Sequence, residues 1–310
     1  MKIHVLDHHF LDNSEAIASF LLEGPEGYVL VEAGPASTLA HLEAALSNIG
    51  VKAADIQHVL LSHIHFDHAG AAWYFAQAGA KIYVHPKGLP HLAAPERLYN
   101  SARMIYGEQM DALWGPMYPI DETLLYAPEH GETLQLCGLE CKAWYTPGHA
   151  VHHIAWQVSA PDENTETPKH ENTAVLFTGD VAGVKIHGGP AMPPCPPPDI
   201  NVEDWMASIE LMRALPVEAF YLTHYGRISE RAAHLDELSR HLSEWAAWMR
   251  PYAANQTPAA EIVPLFEAFV AGQLQAGGAD AATMKRYEAA NPAFMSVNGL
   301  LRYWIKSGKL

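Results

Sequence analysis

Four potential metal ligands crowd into one short stretch, Ser62-His63-Ile64-His65-Phe66-Asp67-His68-Ala69-Gly70. The apolar run His58-Val59-Leu60-Leu61 leads straight into it, and small residues follow. A strand that ends in a tight loop can turn all four side chains toward one point. Burying so many polar groups without a common partner is costly. A single loop histidine is ordinarily solvated, but four ligands at this spacing after a strand are not explained that way. The chain carries 19 histidines without a His tract, which directs the search to further ligands spaced along it.

Three other places repeat one grammar of apolar strand, sharp turn and ligand. They are Tyr145-Thr146-Pro147-Gly148-His149, Leu176-Phe177-Thr178-Gly179-Asp180 and Tyr221-Leu222-Thr223-His224-Tyr225-Gly226. Functional residues of layered α/β proteins gather at such strand ends. Taken singly, each has an ordinary reading: His149 or His224 as a loop histidine, Asp180 as the cap of a turn.

Together, H-x-H-x-D-H followed by separated His, Asp and His resembles the metallo-β-lactamase superfamily over roughly residues 1–245. The resemblance implies an α/β fold, a four-layer αββα sandwich with metals at one edge of two facing sheets. It implies that His63, His65 and His149 hold one metal, that Asp67, His68 and His224 hold a second, and that Asp180 bridges them. Elementary chemistry agrees. Three neutral imidazoles leave an open position on a zinc-like ion, and a carboxylate and a hydroxide can span two ions ~3.5–4 Å apart. The hydroxide would be the nucleophile, with Asp67 beside it to orient it or carry its proton. Asp67 and Asp180 are therefore the candidate catalytic residues. The cofactors expected are two divalent ions. Zinc suits an all N/O ligand set, and Mn2+ or Fe2+ would also fit. The set contains no cysteine, unlike that of the antibiotic-degrading β-lactamases that use one.

Within the superfamily the ligand set resembles thioester hydrolases of the glyoxalase II type and lactonases. Both cleave an activated acyl bond, so the expected reaction is hydrolysis of a thioester, lactone or ester. A glutathione thioester would need basic groups near the site, for which Lys285, Arg286 and Arg302 are candidates. Tyr106 belongs to an aromatic- and Met-rich stretch over 99–119 that reads either as an apolar acyl pocket or as a covering or dimer-contact segment. Met192, in the Pro-rich stretch 190–198, is expected to border the cleft. Tyr225, beside His224, is a candidate donor to a leaving group. His152 and His153 follow His149 closely enough to support a ligand. The rival classes are a mononuclear-iron sulfur dioxygenase, a phosphodiesterase and a non-catalytic binding protein. The last would be expected to lose ligands, and no ligand is missing.

Net charge is −16, from 19 Lys and Arg against 35 Asp and Glu. That repels phosphate backbones and argues against nucleic-acid partners. No apolar run approaches the ~20 residues of a membrane span. The start, Met1-Lys2-Ile3-His4-Val5-Leu6-Asp7-His8-His9, does not read as a signal peptide. Three cysteines, Cys137, Cys141 and Cys195, form no framework and read as packing thiols in a reducing compartment. The expected location is cytoplasmic, and the expected partner is a small acyl compound.

The pattern predicts a hairpin from Ala16–Leu22 and Tyr28–Val31, then a helix over 39–49. Strands follow over 58–61, 81–84, 139–145, 153–158, 174–177 and 219–222, with a polar loop over 161–172. Helices are predicted over 205–212 and 228–249. Pro251 opens a composition shift. Residues 1–250 are read as the catalytic domain and 251–310 as a helical C-terminal extension packed on it. The Trp-rich helices near 245 and 304 would serve either a homodimer interface or an internal dock.

Overall fold

The strands are built from runs apolar on both faces, which a sheet covered on both sides requires. In β2 (Ala18–Gly24), Phe20 and Leu22 point one way and Leu21 the other, and all three are fully buried. The computed structural model describes residues 1–160 and 174–310, so the loop expected over 161–172 lies outside the described residues.

The first sheet contains β1 (Lys2–Asp7), β2, β3 (Gly27–Val31), β4 (Ile56–Leu60), β5 (Lys81–Tyr83) and β6 (Leu125–Tyr126), in that spatial order. β1 to β3 are antiparallel; β3 to β6 run parallel. The second sheet contains β7 (Thr133–Leu136), β8 (Leu139–Tyr145), β9 (Ile154–Ser159), β10 (Val175–Phe177), β11 (Ala219–Leu222) and β12 (Gly226–Ile228), again in chain order. Only β10 and β11 are parallel there.

The two sheets face each other across one core, where Phe20, Val31 and Leu60 meet Cys141, Trp156 and Phe177. Behind the first sheet pack the helices Leu39–Asn48 and Ala72–Gln77, through Leu42, Leu46 and Phe75. Behind the second pack Val202–Ala214 and Arg231–Ala254, through Trp205, Ile209, Leu238 and Trp245. The result is the four-layer αββα sandwich. At one edge the sheets are laced by polar bonds. The Trp156 indole donates to the Leu61 carbonyl (3.0 Å), Ile154 N–H to the Ser62 carbonyl (2.7 Å) and Ala18 N–H to the Thr223 carbonyl (2.9 Å). Those are the strand ends that carry the histidine cluster and His224.

The long helix does not stop at Pro251 but runs to Ala254. Pro251 has no N–H to give the Ala247 carbonyl; the adjacent Ala246 carbonyl accepts from the Trp304 indole (2.7 Å). Helices Ala259–Ala276, Ala281–Ala290 and Ala293–Ser307 follow. Their Ile262, Phe266, Tyr287, Val297 and Leu300 are buried in the same core as Leu238 and Trp245. The Trp245 indole is taken up internally by Gln273 (2.7 Å). All three cysteines are free and buried. No helix among the described residues is long and apolar enough to cross a membrane.

Candidate metal centre

The seven expected ligands converge from four separate turns at the laced edge. His63 follows β4, and His65, Asp67 and His68 sit on the short helix Phe66–Ala69 and its N-cap. His149 follows a turn at Gly148, which has φ +133°; a Cβ there would lie 2.3 Å from the Trp205 Cα. Asp180 follows Gly179, with φ +49°, whose added Cβ would strike Ser62 Oγ at 2.4 Å. Only glycine permits both the backbone and the contact at these two turns. His224 leaves β11.

The outer nitrogens are held by acceptors. His149 Nδ1 donates to the Pro194 carbonyl (2.8 Å) and His224 Nδ1 to the Ala16 carbonyl (2.7 Å). A carbonyl only accepts, so Nδ1 carries the proton and Nε2 points inward. His68 Nδ1 faces Glu32 Oε1 at 3.2 Å, both residues fully buried. Glu32 Oε2 also accepts from Ser62 N–H (3.1 Å). His153 holds the other ligand turn: its Nε2 accepts from Asp180 N–H (3.2 Å), and its Nδ1 meets Thr146 Oγ1 (2.8 Å).

Inside, the free atoms fall into two groups. His63 Nε2 and His149 Nε2 lie 2.8 and 3.1 Å from His65 Nδ1. Asp67, His68, Asp180 and His224 form the second group, and within each group the ligand atoms lie within 4.8 Å of one another. Asp180 joins the groups: Oδ1 is 3.1 Å from His68 Nε2 and 3.3 Å from His224 Nε2, while Oδ2 is 3.3 Å from His149 Nε2.

His68 Nε2, His224 Nε2 and Asp180 Oδ1 are buried without a hydrogen-bond partner among the described residues. They face one another, but not at hydrogen-bonding angles. Such a set is expensive unless a cation sits among it, and the donors fit metal ions. Burial and the neighbouring imidazoles push His63 well below the usual range, and burial with His149 pushes His65 down to about 4. Burial would lower His224 too, but the Asp180 charge outweighs it and lifts His224 to about 9. Burial would raise Asp180, yet His68 and His224 hold it well below the carboxylate range. The first group thus offers bare lone pairs, and the second sets two carboxylates against two imidazoles, each favouring the charged form of the other.

A cleft of about 620 Å³ opens over the centre. Its floor includes His65, Asp67, His149 and Asp180. Tyr106 lines it, as do His152, Pro194 and Pro196 to Pro198. Met192 does not: it is fully buried, paired through its backbone with Val184, and packed in the core behind the second sheet. An apolar side chain gains more from that burial than from the cleft surface. Tyr225 does not line the cleft either; its ring packs against the cores on both faces of the second sheet. Lys285, Arg286 and Arg302 lie outside the cleft wall, Arg286 bound to the Ser14 carbonyl (3.0 Å) and Arg302 to the Pro198 carbonyl (3.2 Å). Two features escape the sequence reading. Glu32 is a carboxylate closing the apolar run of β3, a signal that could have been used. Phe294 and Met295 in the far C-terminal region also line the cleft, with no local signal.

Against known proteins, the family model described as the metallo-beta-lactamase superfamily matches residues 14–224. This chain belongs to the metallo-β-lactamase superfamily. Members of the superfamily bind metal ions and are typically metal-dependent hydrolases. A metallo-beta-lactamase fold-containing protein of Sulfurisphaera tokodaii is 24% identical over 221 residues, 70% of this chain and 76% of that one. A lactamase-like protein of Neosartorya fischeri is 29% identical over 188 residues, 60% of this chain and 41% of that one. Among solved structures, a metallo-beta-lactamase family protein of Thermus thermophilus superposes with a TM-score of 0.65 at 20% identity. It covers 99% of this chain and 94% of that one. The likeness in fold therefore takes in the C-terminal helices.

Proposed function

We propose that this chain is a dinuclear metal-dependent hydrolase that cleaves an activated acyl bond, in a thioester, lactone or ester. One observation carries the reading. Two ligand groups share the Asp180 carboxylate at the floor of a cleft whose walls include Phe66, Ala102, Ile105, Trp114 and Phe294. Bound divalent ions supply Lewis acidity, lowering the pKa of water and polarising a carbonyl.

The chain's own residues do the rest. His63, His65 and His149 present neutral nitrogens; Asp67, His68 and His224 form the second set, and the two oxygens of Asp180 face one set each. Asp67 reaches the cleft surface as well as the second set. It is the carboxylate placed to orient a water there and to carry its proton. The apolar part of the wall excludes water and receives the acyl group. Zinc suits the nitrogen and oxygen donors, with manganese and iron as the alternatives. The substrate is a small acyl compound. The net charge of −16 disfavours nucleic acid; Lys285, Arg286 and Arg302 stand off the cleft, but Lys87 and Arg97 line it, so a thioester that carries carboxylates stays among the substrates. Free buried thiols suit a reducing, cytoplasmic setting.

The test is elemental analysis of protein purified without added metal, with ester, thioester and lactone turnover on the same sample. About two zinc or manganese ions per chain with acyl turnover is the expected result. A single iron, oxygen uptake on a persulfide and no hydrolysis would replace this reading with a sulfur dioxygenase.

A further inference from the structure

Between β1 and β2, residues 9–15 put four non-glycine side chains on a left-handed backbone: His9 (φ 47°), Leu11 (φ 51°), Asp12 (φ 59°) and Glu15 (φ 60°). Asp and His visit that region more readily than most, but a bulky residue such as Leu11 rarely does. Such conformations cost energy and persist only where the surroundings hold them. This segment reaches the candidate site, because Phe10 and Leu11 line the cleft. Phe10 is buried and its ring stacks on that of Trp114 at 5.3 Å. Leu11 is 50% exposed, an apolar side chain left open to solvent at the cleft mouth.

Two sets of bonds hold the segment. Within it, the Asp7 carboxylate accepts from the His9 N–H (3.0 Å) and the Glu15 N–H (2.8 Å), which ties its ends together. Asn13 Nδ2 donates to the Leu11 carbonyl (2.8 Å). The outer grip comes from the far end of the chain. On the helix Ala281–Ala290, Arg286 donates through Nε–H to the Ser14 carbonyl (3.0 Å) and through Nη2–H to the Ser14 hydroxyl oxygen (3.4 Å). A charged donor makes the stronger kind of hydrogen bond. Ala289 of the same helix packs against the cluster of Phe10, Ala16 and Ile17, and the Glu15 carboxylate meets His187. Arg286 is one of the cations that the sequence offers for a substrate carboxylate; the structure gives it Ser14 instead.

We propose that Arg286 is a positioning residue for acyl selectivity. By holding Ser14 it keeps residues 9–15 in their left-handed conformation, and so keeps Phe10 and Leu11 in the cleft wall, where they favour acyl groups long enough to touch them. The inference rests on the hydrolase reading for the class of ligand. It ties the C-terminal helices to the choice of substrate without touching a metal ligand.

The experiment uses the metal-loaded protein with Arg286→Met, Arg286→Lys and Leu11→Ala. Hydrogen exchange reads the segment directly, and turnover of p-nitrophenyl octanoate against p-nitrophenyl acetate reads the consequence. In Arg286→Met the amides of residues 9–15 should exchange at least about tenfold faster. KM for the octanoyl ester should rise roughly three- to tenfold, a part of one apolar side chain's contact, while kcat, metal content and KM for the acetyl ester hold. Arg286→Lys, which still offers a charged donor, should recover most of both. Leu11→Ala, with Arg286 in place, should raise the octanoyl KM alike. Unchanged exchange in Arg286→Met overturns the pin. An equal loss for both esters, or a loss of metal, would make Arg286 a merely structural residue and overturns the selectivity, as does an unchanged octanoyl KM in Leu11→Ala. Calorimetry with octanoate and acetate separates this inference from the hydrolase reading. An Arg286-dependent loss of octanoate affinity alone, in a protein that hydrolyses no ester, would keep the inference and remove that reading. Ester turnover with chain selectivity independent of Arg286 would do the reverse.

Discussion

The floor of the cleft and its wall are made of different materials. The floor is polar and buried, with His149 and His224 hydrogen-bonded to backbone carbonyls and His68 facing the Glu32 carboxylate at 3.2 Å. The wall is mixed, with apolar side chains beside Lys87, His91, Arg97 and Glu288, and it is assembled from distant stretches that include residues 97–114, 194–199 and 288–295. The rings of His149 and His224 have one place to be, because the outer nitrogen of each is fixed by a carbonyl, which only accepts. A wall residue needs only the right volume and polarity. Changes in the floor should therefore act on metal and turnover together, whereas changes in the wall should act on which acyl group is accepted.

The sharpest break in that contrast would come from Asp180→Ala. This carboxylate faces both ligand groups, so its loss should strip metal and lower kcat by at least about 10³-fold. His65→Ala should behave alike. Metal content and turnover measured together decide the point. Full activity with metal retained in both variants would sink the two-metal centre.

One step behind the ligands, Glu32→Gln keeps the shape and removes the charge that faces His68. Metal affinity should fall roughly 10- to 100-fold, read by competition with a chelator, while the fold persists. Unchanged affinity would mean that Glu32 merely fills space.

How much of this was legible in the sequence differs between the same two regions. The convergence of the candidate ligands in the floor could be read because each of the four turns that carry them ends an apolar run, with a glycine or a tight turn beside it, and both signals are local. The wall could not. Tyr106 was singled out, but Phe294 and Met295 meet it only because the C-terminal helices fold back over the cleft, and no local pattern encodes that return. Met192 and Tyr225 failed as cleft residues for a related reason. Closeness in sequence to Asp180 and His224 does not say which face of the chain a side chain takes. The extent of the long helix past Pro251 also escaped, because a proline inside a periodic pattern reads as a stop, whereas here the helix runs through it to Ala254.

Phe294→Ala tests the wall. Removing a partly buried ring should raise KM for octanoyl esters by about five- to thirtyfold, equivalent to roughly 1–2 kcal/mol of lost apolar contact. Metal content and the KM for acetyl esters should stay as they are. A loss of metal in this variant would show that wall and floor are not separable.

The last contrast is in pH. Behind the floor, His8 is fully buried between Thr38 Oγ1 (2.8 Å) and Ser19 Oγ (2.7 Å). Gly34, at φ +71°, makes room for the ring; a Cβ there would lie 2.0 Å from it. Burial, with His41 second, lowers His8 to about 3. The unfolded chain would protonate it near 6.5. Between those values the unfolded state binds the proton and the folded state does not, so stability falls as pH drops below about 6.5. The slope approaches ~1.4 kcal/mol per pH unit for this one group, and the loss ends near pH 3. In His8→Gln that contribution is gone. Melting temperatures of the two proteins at pH 7 and pH 5 should therefore diverge in their differences, with the parent losing more. Equal losses would show that His8 takes up its proton inside the folded protein, and that its pocket tolerates charge.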